Sequence, residues 1–77
     1  MAVAPFVSLA LFVCEKMQIF DKDAQKLVMR FCKMYPPQKI ADITNQAQSY
    51  IWWQKNPKAA FMKAVGDINR KEKAATT

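Results

Sequence analysis

Residues 37–61 constrain the fold of this chain most, because they predict two short helices joined by a tight turn. Proline is tolerated at a first helical position, where its missing N–H loses no partner, so a helix is predicted to begin at Pro37. Asn accepts the left-handed backbone that ends many helices, so Asn45 is expected in a turn over residues 44–46. A second helix is predicted over residues 47–54.

The second of these helices is expected to turn Tyr50 and Ile51 toward the core. It is predicted to stop before Asn56, a suitable N-cap, and Pro57, a suitable first residue of a last helix. The apolar face of that last helix consists of Ala60, Phe61, Ala64, Val65 and Ile68. This apolar spacing is then lost, so residues 70–77 are predicted to form a basic flexible tail.

The letters IADITNQAQSYI in this segment resemble the IAxLTGxSxSxV pattern of helix-turn-helix DNA-binding proteins. The spacing of Trp53, Asn56-Pro57 and Phe61 is similar to the W-x-x-D-P-x-F ending of small-terminase-like and transposase-like phage modules. The resemblance is confined to residues 37–61. It implies a module that binds nucleic acid.

The same resemblance implies roles for individual residues. Ala41 would be the small residue that lets two helices cross closely, and Asn45 would lie in the turn between them. Ile51 would be the core residue of the recognition helix, and Trp53 would pack under Phe61.

The predicted recognition helix carries polar side chains that can reach DNA. Gln48 can pair with adenine, and Ser49 can reach a base or a phosphate. Trp52 and Trp53 point about 100° apart on a helix, so both can hardly be buried in so small a core. With Trp53 packed as the resemblance implies, Trp52 is expected to face outward, where it can stack on a base, press on a sugar or anchor a protein partner. Phosphate contacts are expected from the flanks, at Lys39, Lys55 and Lys58. A solvated surface is the alternative for the five polar residues of this set. For Trp52 the alternative is a core role, together with Trp53, in a tightly packed oligomer.

The charge of the chain supports a polyanionic partner. Twelve Lys and Arg residues against six Asp and Glu residues give a formal charge of +6. The basic excess lies toward the C-terminus, in Lys55, Lys58, Lys63, Arg70, Lys71 and Lys73. Such an excess suits nucleic acid or an acidic membrane or protein surface. The alternative is a charged face that keeps the protein soluble.

Residues 1–20 predict an apolar packing helix that begins near Pro5. Its apolar side chains lie on every side, so part of its surface is expected to meet another molecule. The residues assigned to that partner interface are Phe6, Leu9, Phe12 and Val13. A membrane span fits less well because the run ends at Glu15, and a secretory signal fits less well because no positive charge precedes it. Packing in a homo-oligomer or a larger protein complex is therefore preferred, with membrane anchoring ranked below it.

The next helix is the most regular in the sequence. Asp21 is a natural N-cap, and the helix should end at Tyr35, before Pro36 and Pro37. One stripe of apolar residues recurs at three- and four-residue spacing, namely Ala24, Leu27, Val28, Phe31, Cys32 and Tyr35. Four basic residues lie largely off that stripe, namely Lys22, Lys26, Arg30 and Lys33.

The two cysteines, Cys14 and Cys32, indicate buried free thiols in a reducing compartment, with an intramolecular disulfide as the minor alternative. The chain has no His, no C-x-x-C pair, no Gly-rich phosphate loop and no activated nucleophile. We therefore expect no metal site, no cofactor and no enzymatic activity.

The sequence as a whole predicts an all-α fold, a small bundle of four to five helices with a helix-turn-helix-like core in residues 21–69. One Gly in the whole chain favours helices over a sheet with tight turns. The first functional hypothesis is a basic nucleic-acid-binding protein, phage- or mobile-element-related, acting in an oligomer or complex in the cytoplasm or a virion. The alternative is a non-enzymatic interaction or structural subunit that docks through its apolar N-terminal helix.

Overall fold

The computed structural model describes residues 5–75, which form four α-helices and no β-strand. The helices are α1 (Pro5–Met17), α2 (Lys22–Met34), α3 (Pro37–Gln48) and α4 (Pro57–Ala75). Helix α1 packs chiefly on α2, and α3 packs chiefly on α4. The predicted all-α bundle is confirmed. The first four residues of the predicted N-terminal segment and the last two of the predicted tail lie outside the described residues.

The helix starts follow the capping residues in the sequence. The Asp21 carboxylate accepts a hydrogen bond from the Ala24 N–H at 3.0 Å, which satisfies a free donor in the first turn of α2. The Asn56 Oδ1 does the same for the Ala59 N–H at 3.2 Å, in front of Pro57. Both predicted starts are confirmed.

The end of α2 is also where the sequence places it. Tyr35 leaves the helix with an extended backbone, at φ −115° and ψ 150°, because the residue before a proline is driven out of the helical region. Pro37 then begins α3, with Pro36 as the residue before it.

A single hydrophobic core is shared by all four helices. Phe61 is fully buried, and the centroid of its ring lies 5.8 Å from that of Phe31, whose ring stacks at 6.0 Å on Tyr35. Trp53 packs on the edge of this core. The buried apolar residues are Ala10, Val13, Cys14, Met17, Ile19, Ala24, Val28, Cys32, Ile40, Ile43, Ala47, Ala60, Phe61, Ala64 and Val65.

The predicted turn at residues 44–46 is wrong, because α3 continues through it to Gln48. The Thr44 hydroxyl donates to the Ile40 carbonyl oxygen at 2.9 Å, one helical turn back. The buried face of α3 consists of Ile40, Ile43, Thr44 and Ala47. This three- and four-residue spacing runs unbroken past Asn45, which lies on the exposed side of the helix. Core packing therefore extends the helix where the single Asn suggested a break.

The second helix predicted over residues 47–54 is also absent. The expected pair of short helices joined by a tight turn is therefore not formed, and the prediction of a helix-turn-helix-like core is wrong in this respect. Residues 49–55 form consecutive turns in place of a helix. Their backbone bonds span three residues, as in Trp53 N–H to the Tyr50 carbonyl at 3.2 Å and Lys55 N–H to the Trp52 carbonyl at 3.0 Å. The longer α3 leaves only these seven residues before the next cap, too few for a stable helix that reaches the core.

Helix α1 and the last turns of α4 belong to the same packing unit as the middle of the chain. Helix α1 places Val13 and Met17 in the shared core, so it is not a separate packing segment. Residues 70–75 were predicted to be tail, but they continue α4. The Lys39 Nζ lies 2.9 Å from the Glu72 Oε2, which joins this end of α4 to α3.

Candidate functional site

The six residues predicted to bind nucleic acid do not share one helix. Lys39 lies on α3 with its Nζ 4.2 Å from the centroid of the Tyr35 ring, in addition to the ion pair with Glu72. Its side chain is only 15% exposed. The charge of Lys39 is therefore used within the fold and is poorly placed for a phosphate.

At the end of α3, the side chains of Gln48 and Ser49 donate hydrogen bonds to backbone carbonyl groups. The Gln48 Nε2 donates to the Lys16 carbonyl oxygen at 3.1 Å, which ties the end of α3 to the end of α1. The Ser49 hydroxyl donates to the Gln46 carbonyl oxygen at 2.6 Å. These bonds satisfy carbonyl groups at two helix ends, a structural role that does not leave the side chains aimed outward at base edges.

Trp52 is exposed, as predicted, and Trp53 is half-buried. The Trp52 ring stacks on the Tyr50 ring, with centroids 5.5 Å apart and planes 5° from parallel. Lys63 lies over the Tyr50 ring, with its Nζ 5.5 Å from the ring centroid. The side chain next to Trp52 is Ile51, which is 101% exposed. Its predicted core position is wrong, and we call Ile51 and Trp52 the apolar tip.

Hydrogen bonds to Asp67 hold the loop of residues 49–55 against α4. The Tyr50 hydroxyl donates to the Asp67 carboxylate, which also accepts from Arg70. The hydrogen bond from Tyr50 is the main cause that lowers the pKa of Asp67 below its ordinary value. Burial, followed by the hydrogen bond to Asp67, raises the pKa of Tyr50.

Lys55 and Lys58 are exposed and line a cleft of about 320 Å³ between the α1–α2 connection and the start of α4. Phe20 also lines this cleft and is 78% exposed. Of the predicted nucleic-acid set, these two lysines, Trp52 and Ser49 are exposed and lie in or next to the segment of residues 49–55.

The residues predicted to form a partner interface divide between core and surface. Val13 is 1% exposed, so its assignment to an interface is wrong. Phe6 and Leu9 are half-buried against the core, and Phe12 is 57% exposed. Leu11, which was not among the four residues assigned to that interface, is 59% exposed. In the sequence, Leu11 belongs to the apolar N-terminal helix, and the structure shows that it faces away from the buried side of α1.

A second surface that sequence reasoning missed lies along α2. Four cations occur at spacings of four, four and three residues, which places them within an arc of about 80° on the helix. We call this set the basic stripe, and it consists of Lys22, Lys26, Arg30 and Lys33. All four residues are exposed, on the side of α2 opposite Ala24 and Val28. The sequence contained this signal as basic residues off the apolar stripe.

The basic stripe differs in its pairing from three basic residues elsewhere in the fold. Lys39, Lys63 and Arg70 each form an ion pair with a carboxylate of α4. Within residues 5–75, none of the four stripe residues has a carboxylate at ion-pair distance. Lys33 does contact the Phe6 ring, with its Nζ 5.7 Å from the centroid. The stripe therefore offers charge that the fold itself does not neutralise.

The two cysteines are free and buried, as predicted. Burial raises the pKa of both thiols, and the nearby Cys14 charge contributes at Cys32, whose pKa is raised to about 11. Among residues 5–75 no group of three or more His, Cys, Asp or Glu side chains is arranged to hold a metal ion. In the same part of the chain no helix is both long and apolar enough to cross a bilayer.

Comparison with known proteins found no matching family model, no similar curated protein and no similar solved structure.

Proposed function

We propose that this protein binds nucleic acid through the basic stripe of α2, by contact with the phosphate backbone. The observation that carries the proposal is four exposed cations on one helix face with no carboxylate partner in the described residues. A formal charge of +6 on 77 residues adds a favourable long-range field. The proposal keeps the nucleic-acid partner expected from the sequence and moves its binding surface from α3 to α2.

The dimensions of the stripe suit a phosphate chain. Lys22 and Lys33 are eleven residues apart, which corresponds to about 16 Å along a helix. One strand of B-form DNA winds around the duplex axis, so a straight stripe of this length can contact a few of its successive phosphates. Phosphate contacts give affinity and register without reading base identity. We therefore expect binding that is weakly specific and strongly dependent on salt.

The test is a salt titration of binding to a fluorescent DNA duplex, measured by anisotropy. The double variant Lys26→Gln/Arg30→Gln removes the middle of the stripe. Each phosphate contact contributes about 0.9 to the slope of log affinity against log salt, so the slope should decrease by about 2. Both residues are exposed, so the variant should fold as the wild type does.

The matched control is Lys55→Gln/Lys58→Gln, which removes the same charge at a different surface. This control should keep the wild-type slope to within about half a contact. The proposal fails if the wild type does not bind duplex or single-stranded nucleic acid at low salt. It also fails if both double variants change the slope equally, because the effect would then be one of net charge.

A second candidate function, docking as a protein subunit, is favoured by one observation on α1. Leu11 and Phe12 are adjacent, large and more than half exposed. A groove of about 230 Å³ beside Phe12 is lined by residues of α1 and α3, among them the apolar Leu9 and Ile40 and the polar Lys16 and Asn45. Large exposed apolar side chains on one helix are typical of association surfaces. A second copy of the chain is the partner we expect there.

The test of this candidate is the molecular mass in solution, measured by light scattering across protein concentrations. The full-length protein should be larger than a monomer, and Leu11→Ser/Phe12→Ser should shift it toward the monomer. Met34→Ser is the control, because Met34 is 61% exposed at the end of α2. A wild type that is monomeric at every concentration contradicts self-association.

A further inference from the structure

We infer that the loop of residues 49–55 is a docking site for an anionic lipid surface. In this arrangement the apolar tip enters the interface between headgroups and acyl chains, while Lys55 and Lys58 contact lipid phosphates. The inference goes beyond the proposed function and uses a surface other than the basic stripe.

The apolar tip has no role in the core that explains its composition. Ile51 is fully exposed, and Trp52 beside it is also exposed, on a loop between two helices. A single exposed aliphatic residue is ordinary, but adjacent Ile and Trp at the tip of a loop form a compact apolar projection. Trp combines an apolar ring with a polar N–H, and this makes it suited to the boundary between lipid and water.

The tip is also held in place, which reduces the ordering that binding would require. Trp52 stacks on Tyr50, whose hydroxyl is fixed by the Asp67 carboxylate of α4. The Trp52 carbonyl accepts from the Lys55 N–H at 3.0 Å and from the Asn56 N–H at 3.4 Å. The loop therefore presents Ile51 on a fixed base.

Charge next to the tip determines which occupant fits best. Lys55 is three residues from Trp52, and it lines a common cleft with Lys58 and the exposed Phe20. Within the described residues neither lysine forms an ion pair, and Asp21 is the one carboxylate-bearing residue on the wall of this cleft. Cations beside an inserted apolar group are the arrangement by which peripheral proteins recognise anionic bilayers.

The other occupants fit this surface less well. Ile51 has no ring to stack on a base, so a nucleic acid would leave the most exposed apolar side chain without a partner. A protein partner would need a pocket for the tip together with acidic groups for two lysines, whereas an anionic bilayer provides both environments everywhere on its surface. Since no described helix can span a bilayer, the association would be peripheral.

The experiment measures cosedimentation of the full chain with vesicles of phosphatidylcholine alone or mixed with phosphatidylglycerol. We expect binding to the mixed vesicles and little binding to the neutral ones. Ile51→Ser should lower the partition coefficient about tenfold, since burial of the Ile side chain is lost. Lys55→Gln/Lys58→Gln should lower it about 30-fold, since each lysine near an anionic surface contributes about a factor of five.

Matched variants distinguish binding through the apolar tip from non-specific adsorption to vesicles. Met34→Ser removes an exposed apolar residue at a different place and should bind vesicles as the wild type does. Brominated lipid should quench the Trp fluorescence of the wild type. In Trp52→Phe, which leaves Trp53 as the remaining indole, most of that quenching should be lost. Circular dichroism should show the same helix content in all of these variants, because the substituted residues are exposed.

Three results would overturn the inference: no binding to anionic vesicles, equal partitioning of Ile51→Ser and the wild type, or quenching that persists in Trp52→Phe. Loss of vesicle binding in Lys26→Gln/Arg30→Gln together with full retention in Lys55→Gln/Lys58→Gln would also overturn it, since the basic stripe would then be the lipid site. The proposed nucleic-acid function is tested separately by the duplex titration, so either proposal can fail while the other stands.

Discussion

The Tyr50 hydroxyl donates a hydrogen bond to the Asp67 carboxylate and thereby ties the loop after α3 to the middle of α4. Arg70 donates to the other oxygen of this carboxylate, and the Lys63 Nζ lies 3.7 Å from Oδ2, the oxygen that accepts from Tyr50. The Tyr50 ring in turn supports Trp52. One carboxylate therefore organises both the loop and the apolar tip.

Tyr50→Phe is expected to raise the pKa of Asp67 toward its ordinary value of 3.8, because the hydrogen bond that chiefly lowers this pKa is removed. The lowered pKa means that the folded state favours the ionised carboxylate. Its stabilising contribution is therefore present above the ordinary pKa and is lost as the pH falls through the folded-state pKa. Carboxyl NMR titration of the wild type and the variant measures the shift, and superimposed titration curves would show that Tyr50 is not its cause.

Phe31→Ala should lower the free energy of unfolding by about 2 to 4 kcal/mol, because it removes a ring packed against Phe61 and Tyr35. Ile51→Ala is the comparison and should change stability by less than about 0.5 kcal/mol, since the side chain is fully exposed. Urea denaturation of both variants makes the measurement. Equal losses in the two variants would place Ile51 in the core, as the sequence first predicted.

Substitutions at Asn45 distinguish a continuous α3 from a helix that ends at residue 45. In a continuous helix Asn45→Ala should raise the free energy of unfolding by about 0.5 kcal/mol, and Asn45→Gly should lower it by a few tenths. A left-handed turn at this position would reverse that order, because Gly accepts the turn conformation and Ala does not. Thermal melts of the two variants decide between the two backbones.

Gly66→Ala should stabilise the protein by about 1 kcal/mol, because Gly is the weaker helix former and leaves more freedom in the unfolded chain. Gly66 lies within α4, and an added Cβ would meet no atom within 4 Å. The melting temperature should therefore increase. A decrease would indicate that α4 does not run straight through residue 66.

The thiols should be protected from alkylation in the folded protein. Burial is the main cause that raises the pKa of Cys32 to about 11, so at about pH 8 very little reactive thiolate is present. Iodoacetamide should modify Cys14 and Cys32 slowly in the native protein and rapidly in denaturant. Mass spectrometry over time counts the modified thiols, and equal rates in both conditions would contradict the buried positions.

The local signals in the sequence predicted helix limits well. Asp21 and Asn56 mark helix starts, and Tyr35 before Pro36 marks an end, because capping and proline geometry act within a few residues. The prediction failed where it depended on a residue that permits a turn without requiring one. Asn45 can lie in a turn but does not require one, and the apolar spacing of α3 on either side of it favours continued helix.

The candidate surfaces were less predictable than the helices. The sequence contained the basic stripe of α2 as residues off the apolar face, and Trp52 was correctly expected to be exposed. The pairing of Lys39 with Glu72 could not be read from the sequence, because the two residues are 33 positions apart and meet only when α3 packs on α4. The same is true of the Gln48 contact with Lys16, 32 positions away.

By itself the sequence determined that this protein is a small, basic, all-α bundle, since helix propensity, capping and apolar spacing are local properties of the chain. Only the tertiary structure decided which cations are neutralised and which stay free, and whether Ile51 lies in the core or on the surface. The physical reason is that burial and ion pairing depend on contacts between helices. Once α3 extended to Gln48 to keep its buried face against α4, residues 49–55 had to close the gap as a loop, and Ile51 was left facing solvent.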